Sequence, residues 1–329
     1  MDKELELWQF IADRLNKNEL VMLLVVAEST GSSPGRRGYK MAVGSDGELT
    51  GSIGGGVMEV NLVEQSRRIV CDIEQSVPPA VDDGLTSFLK PQVHQKRSAN
   101  SSGMICSGRQ TVIFRRLDPA DLATVNCVIQ SLKSRERQTL SITNNAIQLY
   151  LNPADGDFEF EKRSDTEFSF RERLGHKNDL YIIGGGHCAL ALSELMSKMD
   201  FYIRLYDDRP ELNTLDKNRF AHEKQIIDRY ENIRDVVPSG QNVYVVVMTL
   251  GYRSDSTVIR QLIDKDLKYL GVLGSKAKMA TLLKELKQEG LDAAGLDKIH
   301  TPIGLPINSR TPEEIAVSIA AEIIKVKNS

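Results

Sequence analysis

The chain is 329 residues long, 41% hydrophobic and 26% charged, with a formal net charge of −3; that is roughly twice the usual domain length, so two domains with separate cores are expected. So weak an acidic balance leaves no overall basic field for nucleic acid or anionic lipid. The longest apolar run, Leu20 to Ala27 (LVMLLVVA), falls far short of the roughly 20 residues of a membrane helix, and the charged opening MDKELELWQF is no secretory signal, which together point to a cytoplasmic protein with no membrane span.

Residues 4–17 set Leu7, Phe10, Ile11 and Leu15 on one face of a first helix. LVMLLVV then reads as a buried strand, followed by the polar loop ESTGSSPGRRG. Strands YKMAVG and ELTGSI flank Ser45-Asp46-Gly47, whose Asp-Gly step signals a hairpin. Gly54-Gly55-Gly56 opens a helix through VMEVNLVEQSRRIV, with Val57, Val60, Leu62 and Val63 as its apolar positions. Residues 74–103, with PP, DDG and HQKRSANSSG, read as a long mobile loop. RQTVIFRRL alternates like a strand, and Asp118-Pro119 starts a helix with an acidic N-cap and proline in its first turn. QTLSI, IQLYL and FEFEKR are weak strand signals, FSFRERL closes the amino-terminal domain (1–175), and GHKND at 175–179 is the expected linker.

From 176 to 329 the pattern changes. LYIIGGG, FYIRLYDD, NVYVVVMTL and LKYLGVLG read as strands with helical segments between them, which implies right-handed crossovers and a parallel sheet covered on both faces. The expected architecture is α/β throughout: an amino-terminal α/β (α+β) domain, then a Rossmann-type, doubly wound parallel-sheet domain. Gly184-Gly185-Gly186-His187-Cys188-Ala189 fits G-x-G-x-x-A between a strand and a helix. Gly184 permits the tight turn, Gly186 lets a pyrophosphate approach the backbone, and Ala189 lets helix and strand pack closely. A phosphate there would sit on free N–H groups at the positive end of a helix. Asp207, at the end of the second strand, is placed to accept from ribose hydroxyls, with Asp208 the second choice. No Tyr-x-x-x-Lys or convincing His–Asp pair accompanies the fingerprint, although hydride transfer needs a general acid or base. The site reads as built to hold something.

Gly51-Ser52-Ile53-Gly54-Gly55-Gly56 repeats the strand–glycines–helix logic, and its consecutive amides suit an anion. Arg36, Arg37 and Lys40 precede it and can neutralise a phosphate; Glu59 would repel one unless it points away. The four cysteines, Cys71, Cys106, Cys127 and Cys188, form no C-x-x-C pair, so neither a disulfide framework nor a structural zinc site is expected. Cys106, followed by Ser107-Gly108, is the candidate exposed thiolate. Cys188 sits where a helix N-terminus would lower a thiol pKa. The last helix starts at Thr311-Pro312-Glu313-Glu314, a capping box, with Ile315, Ile319 and Ile323 as its buried stripe. The loop GLPINSR before it is placed to border a cleft.

Seven segments together resemble the xanthine dehydrogenase accessory factor family, XdhC/CoxI: STGSSPGRRGYKM (29–41), GSIGGGVME (51–59), MICSGR (104–109), IIGGGHCALAL (182–192), YDDRP (206–210), GVLGSKAKMATL (271–282) and IHTPIGLPINSRTPEEIAVSIAAEI (299–323). The resemblance implies a cytoplasmic maturation factor, and a homodimer by analogy. Such a factor binds molybdenum cofactor (molybdopterin form), protects it while a cysteine desulfurase supplies a terminal sulfido ligand, and passes it to a molybdenum hydroxylase client. It further implies that Arg36 and Arg37 with Gly54, Gly55 and Gly56 take the anionic group. Cys106 would be the contact to molybdenum or sulfur, and Gly184, Gly186, His187 and Asp207 would hold a nucleotide or pterin phosphate. The chain departs from the family pattern at Val57, where cysteine is frequent, at Cys106-Ser107-Gly108 in place of Cys-Gly-Gly, and at Thr249-Leu250-Gly251-Tyr252-Arg253-Ser254-Asp255. In the last of these, the family's two histidines are replaced by Leu250 and Tyr252. Two other readings of the same residues are an NAD(P)-dependent oxidoreductase and a nucleotide-binding assembly protein without cofactor chemistry.

Overall fold

The computed structural model describes residues 3–71, 87–94, 108–134, 138–151, 156–199 and 201–329. It divides into two compact units, Met1–Gly175 and His176–Ser329.

In the first unit α1 (Lys3–Leu15) leads to β1 (Val21–Gly31), the hairpin β2 (Lys40–Gly44) and β3 (Leu49–Gly51), α2 (Gly56–Cys71), β4 (Ser87–His94), β5 (Gly108–Leu117) and α3 (Leu122–Ser134). The five strands form an antiparallel sheet in the order β3-β2-β1-β5-β4. Successive side chains of a strand point to opposite faces. Leu23 and Val25 of β1 therefore join one core with Trp8, Ile11 and Val128, while Met22, Leu24 and Val26 join another with Met58 and Leu62. Burial on both faces explains why this strand is an unbroken apolar run rather than an alternating one. A second antiparallel sheet, β7-β6-β9-β8, comprises β6 (Thr139–Thr143), β7 (Ile147–Tyr150), β8 (Phe158–Lys162) and β9 (Phe168–Arg173).

Two expectations for this unit are corrected. The stretch 74–103 is not all loop, because β4 runs inside it and pairs along β5 from Ser87↔Arg115 to His94↔Gly108. As an edge strand it tolerates Pro91, which lacks an N–H to donate. The rest of that stretch lies outside the described residues. In α2 the buried stripe is Met58, Leu62, Val63, Ser66 and Val70, spaced mostly by four, which leaves Val57 and Val60 exposed on the opposite side.

The second unit runs β10 (Asn178–Ile183), α4 (His187–Met196), β11 (Phe201–Asp207), α5 (Asn213–Lys217), β12 (Glu223–Ile226), α6 (Ile233–Val236) and β13 (Gly240–Val247). It continues with α7 (Tyr252–Leu262), β14 (Leu267–Val272), α8 (Lys276–Gln288), α9 (Ala293–Leu296) and α10 (Pro312–Lys327). All five strands are parallel, in the order β12-β11-β10-β13-β14, which is 3-2-1-4-5 in the unit's own count. Helices α7 and α8 cover one face through Val258, Ile259 and Leu282; α4 and α10 cover the other through Leu192, Ile319 and Ile323. The chain reverses its direction of travel across the sheet between β10 and β13, and in open α/β sheets the crevice at that switch point takes the ligand. Asn178 and Asp179 are buried members of β10, so the expected linker at 175–179 is shorter than its polar sequence suggests. Asp179 is held there by Arg204 Nη1 at 2.6 Å and Asn242 Nδ2 at 3.0 Å.

Candidate functional site

The glycine turn of unit 2 is tied to β11. Gly184 N donates to Tyr206 O (2.7 Å), Gly185 N to Asp207 Oδ2 (2.6 Å), and Thr214 Oγ1 to Gly185 O (2.5 Å). Gly184 has φ +108°, and a Cβ there would stand 2.3 Å from Met248 O, so only glycine lets the turn close against the end of β13. Gly186 differs: a Cβ on it would meet nothing within 4 Å. It is the N-cap of α4, whose first turn has no side-chain cap. His187 beside it is exposed. The first-turn amides of α4 are therefore presented to whatever enters the crevice.

Asp207 is fully buried and already surrounded by donors: Gly185 N and Arg209 Nη2 on Oδ2, and Arg209 N and Nε on Oδ1. Burial pushes its pKa up, but the Arg209 guanidinium and the two amides outweigh that and hold it below the usual carboxylate value. Asp208 accepts from Tyr230 Oη at 3.0 Å. Cys188 lies near Glu313 at the start of α10, and burial followed by that charge pushes its thiol up, against the direction expected from the helix N-terminus.

Across the switch point stands a cluster that the sequence reading missed. Thr249 Oγ1 donates to Asp255 Oδ1 (2.6 Å), and Lys278 Nζ donates to Asp255 Oδ2 (2.8 Å). Asp255 belongs to the first turn of α7 and Lys278 to the first turn of α8. The signal was present as the Thr249–Asp255 spacing and the GSKAKM segment, but sequence alone did not join them. Leu250, in place of a family histidine, is 83% exposed.

In unit 1, Gly54, Gly55 and Gly56 all have positive φ (126°, 76° and 76°). The amides they expose hold the chain's own carboxylate: Glu59 Oε2 accepts from Ile53 N (2.8 Å), Gly55 N (2.9 Å) and Ser52 Oγ (2.8 Å). Arg36 is exposed, whereas Arg37 Nε donates to Ala27 O at 2.8 Å. Lys40, expected beside an anion, is buried between Glu172 (2.6 Å) and Glu4 (2.7 Å). Burial lowers its pKa, and the two carboxylates more than reverse that. Gln110, also missed, follows the segment 104–109 and joins two other motif segments, 29–41 and 51–59. Its Oε1 accepts from Ser33 Oγ at 2.6 Å, and its Nε2 faces Ile53 O at 3.4 Å and Met58 Sδ at 3.2 Å. Gly108 lies so close that a Cβ on it would be 2.4 Å from Ser33 N. Cys106 is outside the described residues. Among those residues no group of three or more His, Cys, Asp or Glu is placed to hold a metal. Cys71 and Cys127 are both exposed.

A 3-2-1-4-5 parallel sheet with a glycine turn at its switch point makes the carboxy-terminal unit a Rossmann domain, here joined to an antiparallel α/β unit. The XdhC Rossmann domain model matches residues 180–323, and the XdhC and CoxI family model matches residues 14–76. The chain belongs to the XdhC and CoxI family. It is 26% identical over 336 residues to a Bacillus subtilis protein described as a probable xanthine dehydrogenase subunit, covering 95% of each chain. It is 22% identical over 306 residues to the "Uncharacterized protein YqeB" of Escherichia coli, covering 92% of this chain but 43% of that longer one. A crystal structure described as a xanthine dehydrogenase from Bacillus halodurans shares the fold, with a TM-score of 0.70 and 21% identity over 100% of this chain and 96% of that one. No described helix is long and apolar enough to cross a membrane.

Proposed function

We propose that this protein is an accessory factor that holds molybdenum cofactor for a xanthine dehydrogenase-type molybdenum hydroxylase. In this reading it keeps the cofactor in the cytoplasm, as a homodimer, while a cysteine desulfurase provides sulfur, and then hands it to the client. Family membership and the full-length likeness to a protein named for xanthine dehydrogenase support the client class. The observation that carries the binding role is the open start of α4 at Gly186, uncapped and at the switch point.

The residues of unit 2 fit the phosphate end of such a cofactor. Gly186 leaves room for it, and the α4 amides supply donors that favour negative charge. When bound, the cofactor supplies the metal–sulfur chemistry; the chain supplies the hold and the exclusion of water. Unit 1 fits an anion at Gly54–Gly56 only when the Glu59 carboxylate swings away, with Arg36 the nearest uncommitted guanidinium in its sequence neighbourhood. Cys106 keeps its proposed role as the thiolate at molybdenum or sulfur.

The test is purification of the full chain from cells that make the cofactor, followed by elemental analysis for molybdenum and fluorescence of the oxidised pterin. The reading expects both to co-purify; finding neither sinks it. A second reading, an assembly protein without cofactor chemistry, is favoured by one observation, that Glu59 fills the unit 1 nest. Cys106→Ala separates the two, since client activation survives it only under the second. An NAD(P)-dependent oxidoreductase is disfavoured by the engagement of Asp207, and titration with NADH checks this.

A further inference from the structure

We propose that Lys278, steered by Asp255 and Thr249, is the side chain with which unit 2 grips the phosphate end of its ligand, on the β13–β14 side of the switch point. The inference rests on the reading that this unit holds a phosphate-bearing cofactor, and adds which half of the crevice is used and by which residues.

Three observations carry it. The first is continuity: a Cβ on Gly184 would lie 2.9 Å from Thr249 N, so the glycine turn abuts Thr249, and Thr249 and Lys278 meet on the two oxygens of Asp255. The second is the contrast between two lysines. Lys40 is a structural cation, its side chain 6% exposed between two carboxylates. The Lys278 side chain is 33% exposed while its one carboxylate, Asp255, is 1% exposed. A fully buried acid holding a lysine side chain that is one-third exposed fixes the direction of a charge not shut off from solvent, and among the described residues that ammonium has no second carboxylate. The third is that the opposite half of the crevice is committed. Asp207 already receives Gly185 N and three Arg209 donors, so a ribose diol would have to displace them.

The ligand class that fits is a phosphate or pyrophosphate ester whose remaining bulk lies over β13 and β14, not an adenosine seated on Asp207. Lysine suits this as a point charge for phosphate oxygens. Asp255, with both oxygens occupied, is a positioning residue and does not touch the ligand.

The test uses the full chain and sodium pyrophosphate in isothermal titration calorimetry, with wild type, Lys278→Met, Lys278→Arg and Asp255→Asn. Binding is expected to weaken about tenfold or more in Lys278→Met and to recover to within about threefold in Lys278→Arg. Asp255→Asn is expected to fall between them. Recovery in the arginine variant separates a lost contact from a lost fold. No heat with wild-type protein, or equal affinity in Lys278→Met, overturns the assignment, as does NADH binding tighter than pyrophosphate. Measuring retained pterin on the same preparations keeps the two ideas apart. Lys278-dependent pyrophosphate binding without any pterin sinks the cofactor reading alone, and retained pterin with an indifferent Lys278 sinks this one alone.

Discussion

Two carboxylates decide what the glycine turns are free to do. Glu59 takes two main-chain amides and a hydroxyl in unit 1, and hydrogen bonds to a charged group are each worth about 1.5–3 kcal/mol when buried and less in the open. Glu59→Ala is therefore expected to cost about 1–3 kcal/mol by urea denaturation while exposing the nest. Its melting temperature should then rise more between chloride and phosphate buffers of matched ionic strength than that of the wild type, because a ligand of the folded state stabilises by mass action. An equal rise in the two proteins would mean that the amides 53–55 do not take an anion. Asp207 makes a pH prediction. Its folded pKa lies below the ordinary 3.8, so its contribution is complete above that value and is lost as pH falls through the lower, folded one. Asp207→Asn should thus be less stable than wild type at neutral pH, with the gap closing only as pH falls below the ordinary carboxylate value. A gap independent of pH would show that the Arg209 contact carries no net stability.

Elements explain which parts of this were legible beforehand. Gly184 and Gly186 look alike in the sequence, yet one is fixed by its neighbours and the other is not. Gly184→Ala would put a methyl group against Met248 O in a left-handed backbone conformation, and the loss is expected to be several kcal/mol, enough to abolish a cooperative melt of unit 2. Gly186→Ala enters open space at an ordinary φ of −70°, so circular dichroism should report an intact fold with phosphate binding altered. The reverse ranking would mean that the turn does not abut β13. Strands with unbroken apolar runs, β1, β10 and β13, could be read directly because burial on both faces writes itself into composition. β12 could not, since all four of its residues are exposed at the sheet edge, and β4 was hidden by a proline and polar neighbours. The Asp255–Lys278 pair was illegible for another reason: its members are 23 positions apart and meet only because β13 and β14 are adjacent. Glu59 was visible as a threat to an anion, but the sharp bend that returns it to residues 53 and 55 is a property of three successive left-handed glycines.

At the scale of the whole chain, each unit's cores draw on that unit's own residues. In unit 2 the parallel sheet is covered on both faces, by α7 and α8 on one side and α4 and α10 on the other, with the capping box at Thr311 fixing where α10 begins. A chain of this unit's length buries roughly 68–70% of the surface that its unfolded form exposes, sufficient for an independent domain. Residues 176–329, produced alone, are therefore expected to fold and to melt in a single transition whose calorimetric and van't Hoff enthalpies agree, near about 100 kcal/mol at about 60 °C. Because the whole proposed phosphate grip, Gly184–Gly186, Thr249, Asp255 and Lys278, lies within this stretch, the isolated unit should also bind pyrophosphate about as well as the full chain. A unit that melts cooperatively yet binds at least tenfold more weakly would show that residues outside it complete the ligand site, and the anion-holding role would then belong to the assembled protein rather than to its Rossmann domain.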